Sequence, residues 1–166
     1  NTFGVIIPTM ENAVFARGIQ AFQEELGRHG KTLLIASSAY QETLEGEQIR
    51  ALVARGAAAL LLIVYHRDKT LSAFLESRSV PSLVAWSYDA TEAQPAIGFV
   101  NISAMSALAE LVIQQGHRNI ACISAPIASN DRARGRVNGI RLAMTRAGLS
   151  ADHLVLTQTP YGIESG

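Results

Sequence analysis

Ala58-Ala59-Leu60-Leu61-Leu62-Ile63-Val64 is apolar at every position, flanked by Gly56 on one side and by the polar Tyr65-His66-Arg67-Asp68 on the other. Seven residues are too few for a buried helix of ordinary length. A strand with only one buried face would alternate polar and apolar side chains. A continuous apolar run of this length is what a strand covered on both faces requires, and such strands belong to parallel sheets with helices on either side. Working outward, Phe3 to Ile7 reads as a strand stopped by Pro8. A helical repeat of Phe15, Ile19, Phe22 and Leu26 follows and is ended by Gly30. Thr32 to Ala36 is a second strand, and Glu47 to Ala54 a helix with Ile49, Leu52 and Val53 inward. After the central run come a short helix at Leu71 to Glu76 and strands at Ser82 to Trp86 and Ala96 to Val100. Next are a helix at Ser103 to Gln115 closed by Gly116 and a strand at Ile120 to Ser124. A helix from Asp131 to Ala147 closed by Gly148 and a strand at His153 to Thr157 complete the series.

Strand and helix in regular alternation predict an α/β fold with a doubly wound parallel sheet, because parallel neighbours need a crossover that packs back on the sheet. In such folds ligands gather beyond the carboxyl ends of the strands. Chemistry is therefore to be sought in Pro8 to Phe15, Ser37 to Gln41, Tyr65 to Asp68, Trp86 to Asp89, Asn101, and Ala125 to Arg136.

Composition narrows the function classes. With 166 residues, 48% hydrophobic and 17% charged, the chain has the makeup of a folded globular protein. Its 14 basic and 14 acidic residues argue against bulk electrostatic binding of nucleic acid. The charge is nonetheless uneven: 8 basic and 11 acidic residues lie up to His117, and 6 arginines against 3 acids lie after it. No apolar run is long enough to span a bilayer, and no membrane partner is expected. The single Cys122, between Ala121 and Ile123, reads as a buried inert thiol. His29, His66, His117 and His153 are dispersed without metal-ligand spacing, so neither a metal nor a cofactor is expected. The first strand leads into Pro8-Thr9-Met10 instead of a phosphate-binding glycine loop, and no nucleophile elbow occurs, so no catalytic residue is assigned.

The most informative segment is Asn130-Asp131-Arg132-Ala133-Arg134-Gly135-Arg136, three arginines at alternate positions where a helix begins, with Asp131 placed as its N-cap. Cations at a helix N-terminus oppose its dipole, so helix propensity does not account for them. A ligand bearing hydroxyls or a carboxylate would, since a guanidinium offers a rigid fork of donors. A solvated basic turn with Asp131 paired to one arginine is the other arrangement the pattern allows. Phe15 and Trp86 fall where an aromatic face can stack on a sugar ring or simply fill the core. His66 follows the central strand at the ligand-facing edge.

Several motifs in register resemble one family. Gly4-Val5-Ile6-Ile7-Pro8 followed by Asn12-Ala13-Val14-Phe15, Val80-Pro81 before a strand, Gly98-Phe99-Val100-Asn101, Gln115-Gly116-His117-Arg118, and Arg136-Val137-Asn138-Gly139 look like LacI/GalR-type transcription regulators over nearly the whole chain. Trp86-Ser87-Tyr88-Asp89 and Asn130-Asp131-Arg132 resemble gluconate repressors within that family. The resemblance implies a fold of two lobes like a periplasmic sugar-binding protein, holding a sugar or sugar acid between them. Residues 1–117 would form the first lobe, and 118–166 the start of a second that is cut short. A DNA-binding headpiece for operator DNA would lie outside the chain. It also implies a cytoplasmic homodimer whose DNA binding the effector controls, and no enzyme activity. A periplasmic sugar carrier shares the fold and is the alternative. The family's sugar-contacting arginine falls on Arg136, its contacts after the first strand on Val14 and Phe15, and its loop before the second-lobe helix on Asn130, Asp131 and Arg132. Two departures stand out: Val100 occupies the place of the usual Asp, and Ala13-Val14 replaces the usual Pro-Phe. A second lobe cut short leaves apolar surface at its cut edge. Amides after about residue 118 are therefore expected to exchange with solvent faster than those before; uniform protection to the C-terminus, read by hydrogen exchange, would contradict this.

Overall fold

The computed structural model describes residues 2–65, 69–162 and 164. It is an α/β structure with a five-stranded parallel sheet in the order β2-β1-β3-β4-β5 and a two-stranded parallel sheet, β6-β7. The strands are β1 (Thr2–Ile7), β2 (Thr32–Ser37), β3 (Ala57–Leu62), β4 (Ser82–Ala85), β5 (Ala96–Ile97), β6 (Ile120–Ser124) and β7 (Leu154–Gln158). The helices are α1 (Ala13–Arg28), α2 (Glu42–Ala54), α3 (Lys69–Ser77), α4 (Asn101–Gln114) and α5 (Asp131–Arg146). Among the described residues no helix is long and apolar enough to cross a membrane.

The described chain divides into two compact units, residues 1–86 with 90–97, and residues 87–89 with 98–166. In the first unit, Ile6, Leu60 and Leu62 of the sheet pack with Ile49 and Leu52 of α2 and Leu71 and Leu75 of α3. On the opposite face, Val5, Ile7 and Ile63 pack with Phe15 and Ile19 of α1. The central run is thus covered on both faces, although unequally. Ile35, Leu83 and Ile97, in register with Val5, Leu61 and Ala85, remain 36–64% exposed on the α1 side.

Several elements differ from the sequence reading. Helix α2 begins five residues early, at Glu42, because Glu42 and Glu45 in its first turn favour the positive end of the helix dipole although that turn carries little apolar periodicity. Strand β5 is only two residues long at the sheet edge, and the chain leaves it before Phe99 and Val100, which are exposed.

The second unit is organised by α4 and α5. Ala109 and Ile113 of α4 share a core with Ile140, Ala143 and Met144 of α5, against which Ile120, Cys122 and Leu154 pack. The resemblance places α4 in one lobe with the preceding strands; its buried face is matched to α5. Glycines permit the close approach. A Cβ at Gly139 would collide with the carbonyl oxygen of Ile102 and come within 2.9 Å of the Ser106 nitrogen, both backbone atoms that have no rotamer to yield. Gly139→Ala is therefore expected to destabilise the protein by about 1–3 kcal/mol, the usual cost of overpacking. Gly27→Ala, in a helical position with nothing within 4 Å of the new methyl, is expected to be neutral or stabilising by up to about 1 kcal/mol. Urea unfolding of the two variants checks both signs.

Candidate functional site

The loop from β6 to α5 is built by its own polar groups. Asn130 is the N-cap of α5: its side-chain oxygen accepts from the Ala133 backbone N–H at 3.1 Å, while its amide nitrogen donates to the Tyr161 hydroxyl at 3.2 Å. The cap therefore falls on Asn130 and not on Asp131, and Asn130 is buried with both ends of its amide engaged. A cap of this kind contributes about 0.5–2 kcal/mol. Asp131, the first helical residue, accepts from the backbone N–H of Arg132 at 2.7 Å and pairs with the Arg132 guanidinium at 3.2 Å. That pair is nearly buried, with its side chains 8% and 12% exposed.

The three arginines of this segment have three separate roles. Arg132 is paired with Asp131. Arg134 folds back to donate to the carbonyls of Ile127 at 2.9 Å and Ala128 at 3.2 Å, closing the loop on the helix. Arg136, one turn further along, donates to Oδ1 of Asn101 at 3.0 Å. Asn101 is neutral, so among the described residues the Arg136 charge has no carboxylate partner. Asp131 is thus paired to one arginine, Arg132, but nearly buried and not in a solvated turn, while Arg136 meets a neutral side chain.

Asn101 is the first residue of α4, and only 6% of it is exposed. Its Nδ2 is buried with no hydrogen-bond partner among the described residues. A guanidinium only donates, so the oxygen of the amide must face Arg136 and the nitrogen is left over. Val100, at the N-cap of α4, makes no side-chain capping bond.

In the first unit, Phe15 and Trp86 meet edge to face, with ring centroids 5.3 Å apart at 89°. Phe15 is buried in the α1-side core, whereas Trp86 is partly exposed. Trp86, just after β4, adopts the left-handed region at φ 62°, a costly conformation for a bulky residue. Contact with Phe15, worth about 0.5–1.5 kcal/mol, offsets part of that cost. Gly18 makes room for the ring, since a Cβ there would strike Cζ2 of Trp86. Val14 is 59% exposed beside Asn12, which caps α1 through Val14 N at 2.9 Å. His66 lies outside the described residues. Among the described residues no cluster of His, Cys, Asp and Glu side chains could hold a metal.

The sequence profile of periplasmic binding proteins and the sugar-binding domain of the LacI family matches residues 1–162. The chain belongs to this family. It is 26% identical over 167 residues to the HTH-type transcriptional regulator GntR of Pseudomonas aeruginosa, covering all of this chain and 48% of that protein. It is 25% identical over 166 residues to the transcriptional repressor CytR of Escherichia coli K12, covering 99% of this chain and 48% of the repressor. A LacI family transcriptional regulator from Silicibacter pomeroyi superposes with a TM-score of 0.88 at 25% identity, over 99% of this chain and 61% of that one. The chain thus spans about half the length of the curated relatives it matches. These relatives are regulators of transcription.

Asn101 is the residue of this LacI-type domain that sequence reasoning undervalued. Its position just after a strand was a signal, but its partner lies 35 positions away. Cys122 offers a probe of the same region. Burial raises its pKa, and the positive charge of Arg136 opposes that rise. As the single cysteine of the chain, it is expected to react with iodoacetamide more slowly than a free thiol at pH 8. Arg136→Ala is expected to slow it further, because the thiolate loses a favourable charge. Faster alkylation in the variant would contradict this account.

Proposed function

We propose that this chain is the effector-sensing part of a LacI-type transcriptional repressor, binding a sugar or sugar acid and thereby controlling how the whole regulator engages operator DNA. The first compact unit belongs to the first lobe of the effector domain and the second unit begins the other. The observation that carries the reading is Arg136, whose guanidinium is held at 3.0 Å by the neutral Asn101 and keeps its charge available. A guanidinium fixed by a neutral partner can donate its remaining N–H groups to ligand oxygens without first breaking an ion pair. The partly exposed Trp86 ring, backed by the buried Phe15 and with exposed Val14 next to Phe15 in sequence, supplies apolar surface for a sugar ring.

Asn130, Asp131 and Arg132 serve this reading by setting the start of α5, the helix that carries Arg136. His66 is a further proposed contact of the effector. No bond is made or broken: the effector acts by binding one conformation of the regulator better than another. The regulator is a cytoplasmic homodimer that presents two DNA-binding headpieces to operator half-sites. The identity of the curated relatives as regulators favours this over a transport role.

A thermal-shift screen of the full-length protein against sugars, sugar acids and polyols tests the proposal. At least one compound is expected to raise the melting temperature of the parent, by about 2.7 kcal/mol of stabilisation at a concentration 100 times its Kd. The same compound should leave Arg136→Ala unshifted. Failure of the whole panel to stabilise the parent, or an equal shift in the variant, would sink the reading.

A further inference from the structure

Strands β6 and β7 end side by side, with Ser124 and Gln158 in register, so the loops that leave them start together at the carboxyl edge of their sheet. That edge is where ligands gather in open α/β sheets. The two loops are also laced to each other. The Thr159 N–H donates to the Ser124 carbonyl at 2.9 Å, the Ile127 N–H to Oε1 of Gln158 at 2.8 Å, and Nδ2 of Asn130 to the Tyr161 hydroxyl at 3.2 Å. The last two bonds each span 31 positions, so they tie together segments that local structure does not.

The bond to Tyr161 differs from the others in what lies at the far end of the same amide. Asn130 is 2% exposed, and its side-chain oxygen caps α5 by accepting from the Ala133 N–H. A carboxamide is one rigid plane, so a partner that fixes its nitrogen also fixes its oxygen. Without the Tyr161 hydroxyl, Nδ2 would lose its acceptor while still buried, a costly state that the amide relieves by turning away from the cap. Tyr161 itself is 47% exposed. A residue open to solvent thus controls the start of a helix through one that is not.

We propose that Tyr161 is a positioning residue of the effector site: through the Asn130 amide its hydroxyl fixes the first turn of α5, and with it the side chains that this helix presents to the effector. This rests on the effector-sensing reading. It gives the loop after β7 a mechanical link to α5, so that a displacement of Tyr161 is passed to the helix start. A site whose supporting groups are fixed in advance binds more tightly than one that must be ordered by its ligand.

The experiment is a double-mutant cycle on the full-length protein with Tyr161→Phe, Asn130→Ser and the two together, each checked for folding by its melting curve. Phenylalanine keeps the ring and removes the hydroxyl; serine still caps a helix but has no amide nitrogen to satisfy. Two quantities are read. One is hydrogen exchange at the Ala133 amide, and the other is the Kd of whichever of D-gluconate, D-glucuronate, D-glucose, D-ribose and D-sorbitol most stabilises the parent. Tyr161→Phe alone is expected to speed exchange at Ala133 at least about tenfold and to raise Kd at least about fivefold. In the Asn130→Ser background the same substitution is expected to change either quantity less than about twofold. An undiminished loss of affinity in that background would make the hydroxyl a direct contact and overturn the positioning role. Unchanged exchange at Ala133, or faster exchange with unchanged Kd, would overturn it too while the effector-sensing reading survives. If none of the compounds stabilises the parent, that reading falls and the positioning role with it.

Discussion

The crossing of α4 and α5 is the constraint on which the second unit depends. Gly135 and Gly139 present bare backbone to Asn101, Ile102, Met105 and Ser106; a Cβ on Gly135 would lie 3.2 Å from Cβ of Asn101, and one on Gly139 would meet backbone outright. Helices that approach this closely bring their first turns together. Asn101, at the beginning of α4, is thereby placed beside Arg136, in the second turn of α5. The Arg136 to Asn101 bond spans 35 residues, and it exists because two glycines remove the side chains that would hold the helices apart. The hydrophobic contacts of Ala109, Ile113, Ile140, Ala143 and Met144 then lock the same crossing from the other end.

That geometry explains how one run of alternating arginines yields unlike groups. Arg132, in the first turn of α5, lies next to Asp131 and is neutralised locally. Arg134 meets the carbonyls of its own loop and acts as a brace. Arg136 lies five positions beyond Asp131, and the helix rotation that removes it from that carboxylate delivers it to Asn101. Placing three cations at a helix start is electrostatically unfavourable; a buried pair relieves the first and carbonyls the second, and among the described residues the third meets no carboxylate.

Much of the fold was legible because its signals are local. The apolar run at Ala58 to Val64, the repeat of Phe15, Ile19 and Leu26, and the glycines Gly30, Gly116 and Gly148 that follow α1, α4 and α5 with φ of 63°, 94° and 69° each announce an element within a few residues. Where the reading slipped, local apolar periodicity was weak. The first turn of α2 is held by acidic residues, β5 ends after two residues, and the α5 cap lies one position earlier than the more acidic candidate. The site was less legible for a stronger reason. Whether an arginine is paired, bracing or without a carboxylate depends on what a distant helix brings to it, and the spacing of the arginines does not name Asn101 as the partner of Arg136.

Gly18 shows how such tertiary information might still be read. A glycine inside a helix costs about 1 kcal/mol relative to alanine, so its presence in α1 asks for a close neighbour. The neighbour is the Trp86 ring, which is turned onto α1 by a left-handed backbone just after β4. Gly135 and Gly139 ask the same question of α5, and α4 is the answer. In both units, therefore, helix glycines mark the contacts that place the residues of interest: Trp86 against Phe15 in one, Arg136 against Asn101 in the other. A helix glycine away from the caps is a tertiary signal written in local sequence. Gly27, near the end of α1 with nothing near it, marks the limit of that rule.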